Sequence, residues 1–287
     1  MIIKHAAHLY SSLSHLKEGS ISVKAGDPVK EGDEIGRCGN SGRSPYPHLH
    51  FQLQGTPYIG SVTLEYPISY HILHGKDGFE LRTFTSPALG EQVSNMERNE
   101  LMYRAFHIIP GKRFRWEIRG NGERTEALWE VNTDPYNNSY IKCQETGATA
   151  YYFNDGNMLW FTHYSGNKRS LLYYFFQAAF QVQLGFYQDL SLCDNYPLNL
   201  IYHHPLLGLQ DLVAPFWKFL RSEYQCHYRW IDNDMVPSEI TLVSTARNSL
   251  AGRILQKSEF TIHINEKGIR QLEVDSANIQ LKAVCIE

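Results

Sequence analysis

The chain has 287 residues and a formal charge of -3 from 27 Lys and Arg against 30 Asp and Glu, which is long enough for one large or two ordinary domains with real cores. A pI near 6.5 and scattered cations without a basic tract argue against a nucleic-acid binder that works by neutralising phosphates. Five widely spaced cysteines (Cys38, Cys143, Cys193, Cys226 and Cys285), odd in number and without a Cys-x-x-Cys, argue against a disulfide framework and read as core or incidental thiols.

Met1-Ile2-Ile3-Lys4-His5 has neither the charged start nor the apolar length of a signal peptide. Residues 2–16 read as strand, turn and strand, so the chain reads as starting in the middle of a domain. Gly26 and Gly32 then punctuate Val23, Val29 and Ile35, which predicts short strands joined by tight turns. A lipoyl or biotinyl carrier has a similar pattern but needs a modifiable lysine at an exposed hairpin tip. This chain instead enters Gly39-Asn40-Ser41-Gly42 and, past Pro47, reaches His48-Leu49-His50-Phe51-Gln52-Leu53. As a strand, that piece would project His48 and His50 to one side, with Cα atoms about 6.5–7 Å apart. One imidazole could then hold a metal while its neighbour faces a group bound to it. Leu49, Phe51 and Leu53 would fill the opposite face as core. The plainer reading of an isolated His-x-His is a strand with two partly exposed histidines.

Glycines and prolines at Gly55, Pro57, Gly60, Pro67, Gly75 and Gly78 predict a connection over 56–79. His71-x-x-His74 has ligand-like spacing but falls there and reads as a loop pair. From about residue 80 the chain turns aromatic and β-rich. Phe114, Trp116 and Ile118 alternate with charged residues, as do Phe260, Ile262 and Ile264 with polar ones, which is the period of half-buried strands. Turns are predicted at 120–123, 154–157, 165–167 and 266–268, leading in the last case to Leu272 and Val274 and then Ile279, Leu281 and Ala283. The apolar run 171–187 contains Gln177, Gln181 and Gln183, which makes it a poor membrane helix; alternation over 177–186 predicts a sheet strand. A helix is predicted after Ala214, with Pro215 in its first turn and Phe216, Phe219 and Leu220 sharing a face through Tyr224. His203-His204 before Pro205 and Asp232-Asn233-Asp234 read as turns. No serine or cysteine nucleophile motif, phosphate loop or His-Glu-x-x-His is present.

The succession Val23–Gly36, Gly39-Asn40-Ser41-Gly42 and Pro47-His48-Leu49-His50-Phe51, with Tyr10 and Ser14-His15-Leu16 upstream, resembles the C-terminal half of the lysostaphin-type zinc metallopeptidases, which have the duplicated hybrid motif fold. The resemblance covers about residues 2–54. It implies a partial β-barrel-sandwich peptidase module over 1–55; with the connection 56–79 and the antiparallel β-rich domain with one or two helices that the residue pattern predicts over 80–287, the expected fold is mainly β. It implies His50 as a zinc ligand, and His48 and His15 as catalytic histidines that orient a water or stabilise an oxyanion. The implied substrates are peptides of bacterial peptidoglycan, the implied place is the cell envelope or periplasm, and no membrane span is expected. The continuation 54–67 is similar to peptidase modules appended to bacterial urea-transporter-like membrane proteins.

One departure is serious. The family takes its other ligands from a His-x-x-x-Asp, and none of the thirteen histidines has aspartate four places on. Gln52 also stands where the family often has glutamate. A single imidazole does not hold zinc usefully. Three explanations stay open: a fragment or mis-started reading of a longer active protein, a metal-free relative that binds or regulates, or substitution of the ligands by His5 or His8.

Overall fold

The computed structural model describes residues 1–120, 122–202, 206–230, 238–277 and 279–286, without the side chains of Leu206 and Trp230. The expectations at His203-His204, at Asp232-Asn233-Asp234 and at Asn121 fall outside these. The chain divides into two units, Met1–Ile68 and Ser69–Glu287. No helix among the described residues is long and apolar enough to cross a membrane.

The first unit is a four-stranded sheet in sequence order: β1 (Ile2–Ala6), β2 (Leu9–Ser14), β3 (His50–Gln54) and β4 (Thr63–Leu64). The connection from β2 to β3 carries no strand, contrary to the strands expected around Val23, Val29 and Ile35. Its turns are as expected. Lys24-Ala25-Gly26-Asp27 and Lys30-Glu31-Gly32-Asp33 close in the same way, with glycine at φ +97° and +89° and an Asp carboxylate accepting from the first backbone N–H. With only Pro28 and Val29 between the two turns and little apolar side chain, each arm is too short to pair. The expected core face also differs: Leu49 and Phe51 are nearly half exposed, while Leu13, opposite Phe51 on β2, is buried. A sheet of this size, connected mostly by polar turns, has little apolar material to lay over that face.

The second unit begins with β5 (Ile68–Gly75), β6 (Gly78–Thr85), β7 (Val93–Ser94) and α1 (Glu100–Phe106). Then follow β8 (Arg113–Gly120), β9 (Glu123–Thr133), β10 (Ser139–Cys143), β11 (Thr149–Asn154), β12 (Met158–Ser165), α2 (Leu171–Ala178) and β13 (Gln181–Gln183). The chain ends with β14 (Ser191–Asn195), α3 (Leu198–Ile201), α4 (Leu206–Val213), β15 (Leu220–Trp230), β16 (Glu239–Leu250), β17 (Arg253–Asn265), β18 (Gly268–Ser276) and β19 (Ile279–Cys285). The strands form one sheet in the order β13-β12-β11-β10-β9-β8-β19-β18-β17-β16-β15-β14-β6-β5-β7. It is two antiparallel meanders, β8–β13 and β14–β19, joined where β19 pairs with β8. A parallel contact of β14 with β6 extends it. The fold is mainly β, as expected, and the alternating strands over 113–120 and 253–265 form where their period places them, with Phe114, Trp116, Phe260, Ile262 and Ile264 buried.

Three local expectations are corrected. All eight residues of α2 are buried, and the helix takes the apolar run as far as Ala178, so of the strand expected over 177–186 only Gln181–Gln183, β13, forms. A helix covered on every side has no polar stripe, and its periodicity is silent. Ser170 caps its start by accepting from Tyr173 N–H. The end of α2, where helix carbonyls lack intrahelical partners, receives hydroxyls from elsewhere: Tyr196 donates to Gln177 O at 2.8 Å, and Ser244 and Tyr224 donate to Ala178 O at 2.7 and 3.2 Å. Second, the helix expected after Ala214 ends there instead. Proline disfavours helical backbone at the residue before it, so α4 stops at Val213, and Leu220, just after Phe219, opens a strand. Third, His71 and His74 lie on β5, not in a loop; His71 is buried and His74 exposed, bonded to Ser94. Three residues apart on a strand, they face opposite sides.

The core is aromatic. Trp129 lies 4.9 Å from Trp116 and 5.3 Å from Phe175 between ring centroids, and Phe161 lies 5.9 Å from Phe175. Each such ring contributes about 1.5–3 kcal/mol by leaving water. The five cysteines form no disulfide, and burial pushes the Cys226 thiol up to about 12.

Candidate functional site

His15 follows β2, and His48 and His50 bracket the start of β3. The backbone brings them together through Gly39. Its N–H donates to His15 O at 2.9 Å, and its carbonyl accepts from His48 N–H at 3.2 Å. This double clamp works only without a side chain: a Cβ on Gly39 would stand 2.4 Å from Lys17 Cα and 2.5 Å from Lys17 N. His48 therefore sits in an isolated bridge to Gly39 and is not part of the strand, which starts two residues later. His15 adopts φ +62°, a left-handed conformation uncommon outside glycine. The result is a cluster in which the His15 ring centroid lies 4.7 Å from that of His48 and 6.1 Å from that of His50.

The partners of each ring fix its tautomer. His15 Nδ1 lies 2.7 Å from Ser41 O, and His48 Nδ1 lies 2.8 Å from Tyr46 O, with Ser44 Oγ also within 3.1 Å. Carbonyl oxygens only accept, so both Nδ1 atoms carry the proton and each Nε2 keeps its lone pair. His50 is held the other way round. Its Nε2 lies 3.2 Å from Gln52 Oε1. The Gln52 amide is oriented in turn by donating to Gln54 Oε1 at 2.9 Å and Ser61 O at 3.3 Å. Gln54, fully buried, donates to Thr56 O at 2.6 Å and Tyr58 O at 3.0 Å. Because that series ends on backbone carbonyls, it assigns both amides, places the proton of His50 on Nε2 and leaves Nδ1 as its free lone pair.

The three residues singled out from the sequence are thus neighbours, with His15 and His48 offering Nε2 for proton transfer and His50 offering Nδ1. They do not by themselves form a metal centre. Among the described residues there is no group of three or more His, Cys, Asp or Glu side chains able to hold a metal ion. His5 bonds to Ser11 Oγ, and His8 sits at φ +60° in the β1–β2 turn, so neither supplies the missing donors. A zinc ion needs three protein ligands in a working site, and this set falls short of it. Sequence reasoning missed the carbonyls of Ser41 and Tyr46, because backbone acceptors leave no mark in side-chain identity. The roles of Gln52 and Gln54 had a signal: two amides two residues apart on one strand face, where His50 is the next residue along.

No solved structure matches the chain. The sequence model of Peptidase family M23 matches residues 1–59, about a fifth of the chain. The part of the protein that is similar to that family is therefore the part that holds His15, His48 and His50 together, and it is a peptidase-like segment.

Proposed function

We propose that the first unit serves in hydrolysis of peptides of bacterial cell-wall peptidoglycan, in the cell envelope, with His15 and His48 as the catalytic pair and His50 as one ligand of a zinc ion. The observation that carries this reading is the approach of His15 to His48 within the segment that matches a peptidase family. Zinc, when bound, would supply a Lewis acid; its remaining donors are not among the described residues, and no step is derived through it. The chain's own contribution is to hold two neutral imidazoles with Nε2 free. One such ring takes a proton from an attacking water through Nε2 and then, as an imidazolium, returns it from that nitrogen to the leaving amine, while the Nε2 of the other accepts from the same water and orients it. The carbonyls of Ser41 and Tyr46 hold those rings in the required tautomer.

A second reading has its own support. The lack of a three-donor group and the in-chain partners on every ring fit a metal-free domain that binds cell wall without cutting it. The test is digestion of purified peptidoglycan by the protein isolated from its own cells without chelator. The hydrolytic reading predicts new amino termini, lost on chelation and on His48→Ala. Cell-wall binding that persists in chelator, with no new termini, selects the second reading.

A further inference from the structure

The second unit gathers bulky apolar side chains in water at one place. Buried Gln210 on α4 accepts through Oε1 from the N–H groups of Phe219 and Leu220, which fastens α4 to the start of β15. Ala251 N–H donates to Phe219 O at 2.6 Å, which fastens the β16–β17 turn to the same point. That turn is a tight one, with Leu250 opposite Arg253 and positive φ at Ala251 and Gly252. Around this anchor stand Leu209 and Leu212 on α4, Phe216 and Trp217 after it, and Ile254 and Leu255 beyond the turn. Phe216 is 93 % exposed, Leu212 76 % and Trp217 61 %. Exposed apolar residues scattered singly are ordinary; six around one anchor mark an interaction surface.

The charges beside them decide the partner. Trp217 and Ile254 line a shallow cleft with Lys218, Arg221 and Arg247, and Arg253 sits at the adjoining turn. None of these four cations makes an ion pair among the described residues. Two acids stand nearby, Glu223 in the cleft and Asp211 on α4. The uncharged side chains of this surface are mostly apolar: beside Trp217 and Ile254 the cleft has a single hydroxyl, that of Ser249, and the exposed residues around it are Leu209, Leu212, Phe216 and Leu255. Aliphatic side chains on α4 and at the start of β17, an indole, and cations on long apolar stems match the acyl boundary, interface and phosphates of a lipid leaflet.

We propose that this end of the second unit binds peripherally to bilayers containing anionic phospholipid. The test is sedimentation of the 287-residue protein with vesicles of phosphatidylcholine alone and of phosphatidylcholine mixed with phosphatidylglycerol. The protein should sediment with the mixed vesicles, about tenfold more weakly without the anionic lipid, and less at high salt. The double variant Phe216→Ser with Trp217→Ser should lose about tenfold or more, at unchanged melting temperature because both side chains lie outside the core. Lys218→Glu with Arg247→Glu should lose the preference for anionic lipid. In wild type, brominated lipid should quench a share of the emission that is missing in Trp217→Phe. Absence of sedimentation with the mixed vesicles, or equal sedimentation of the Phe216/Trp217 variant, would overturn the proposal. So would binding to soluble inorganic polyphosphate as tight as to the vesicles and indifferent to that variant, which would assign the cations to an anionic polymer. None of these readouts involves peptide hydrolysis.

Discussion

The two units hold their important side chains by different physics. In the second, Trp116, Trp129, Phe161 and Phe175 are fixed by close packing, so firmly that the indole N–H groups of Trp116 and Trp129 are buried with no hydrogen-bond partner among the described residues, while hydroxyls of Tyr196, Tyr224 and Ser244 satisfy the carbonyls at the end of α2. In the first, His15, His48 and His50 are only partly covered and are fixed by hydrogen bonds to carbonyls and by one glycine clamp. Packing is cooperative and gives stability. A few directed bonds on a loop give little stability but set ring orientation and tautomer, which is what proton transfer needs.

Substitutions in the two units should therefore separate stability from site geometry. The largest effect is expected for Trp129→Ala, which removes contacts to Phe114, Trp116 and Phe175 and should lower unfolding stability by about 3–5 kcal/mol in a denaturant titration. The histidine NMR signals of the first unit should stay in place under native conditions. Gly39→Ala should do the reverse. Its Cβ meets backbone, not a yielding side chain, so it should cost the first unit about 1–3 kcal/mol and shift the ring signals of His15 and His48 together. Movement of only one of the two rings would show that Gly39 is not their common support.

Gln52→Leu sharpens the comparison further. Loss of the Gln52 acceptor should cost only about 0.5–1.5 kcal/mol, yet nitrogen-15 shifts should show His50 leaving its Nε2–H form for a mixture of tautomers. Retention of a single tautomer in that variant would mean that the Gln54–Gln52 series does not orient His50. The smallest effect concerns pH. Burial, aided by Arg229 and opposed by Asp189, holds His227 on β15 below the ordinary imidazole value. The folded state thus binds this proton less readily than the unfolded chain. The stability linked to His227 is complete above about pH 6.5 and is lost as pH falls through the lower folded value. Melts of His227→Gln and wild type should differ in pH slope across that acid range, the variant losing less on acidification, and should run parallel above about pH 6.5.

Much of this is legible in the sequence, and the exceptions have physical causes. Period-two alternation announced β8 and β17, and the order of glycines and histidines from Tyr10 to Phe51 announced the cluster. The Lys-x-Gly-Asp turns were readable because glycine at positive φ and an aspartate side chain are local devices. What was hidden depended on tertiary surroundings. The apolar residues of α2 carry no period because every side is covered, and Pro215 served as a stop where it was read as a start. Leu49 and Phe51 alternate as a core face would, but burial depends on what lies above a strand, which alternation does not report. The bonds that choose each tautomer come largely from carbonyls, which every residue has.

The claim on which the functional reading depends is that this chain holds part of a zinc peptidase site, with ring nitrogens aligned but too few donors to retain the ion. Zinc titration of the 287-residue protein in the presence of a competing indicator tests it most directly. The account predicts weak binding that fails to saturate at one ion per chain and is further reduced by His50→Ala. Tight, stoichiometric binding unaffected by His50→Ala would contradict it, since the ion would then be held by side chains other than those gathered at Gly39.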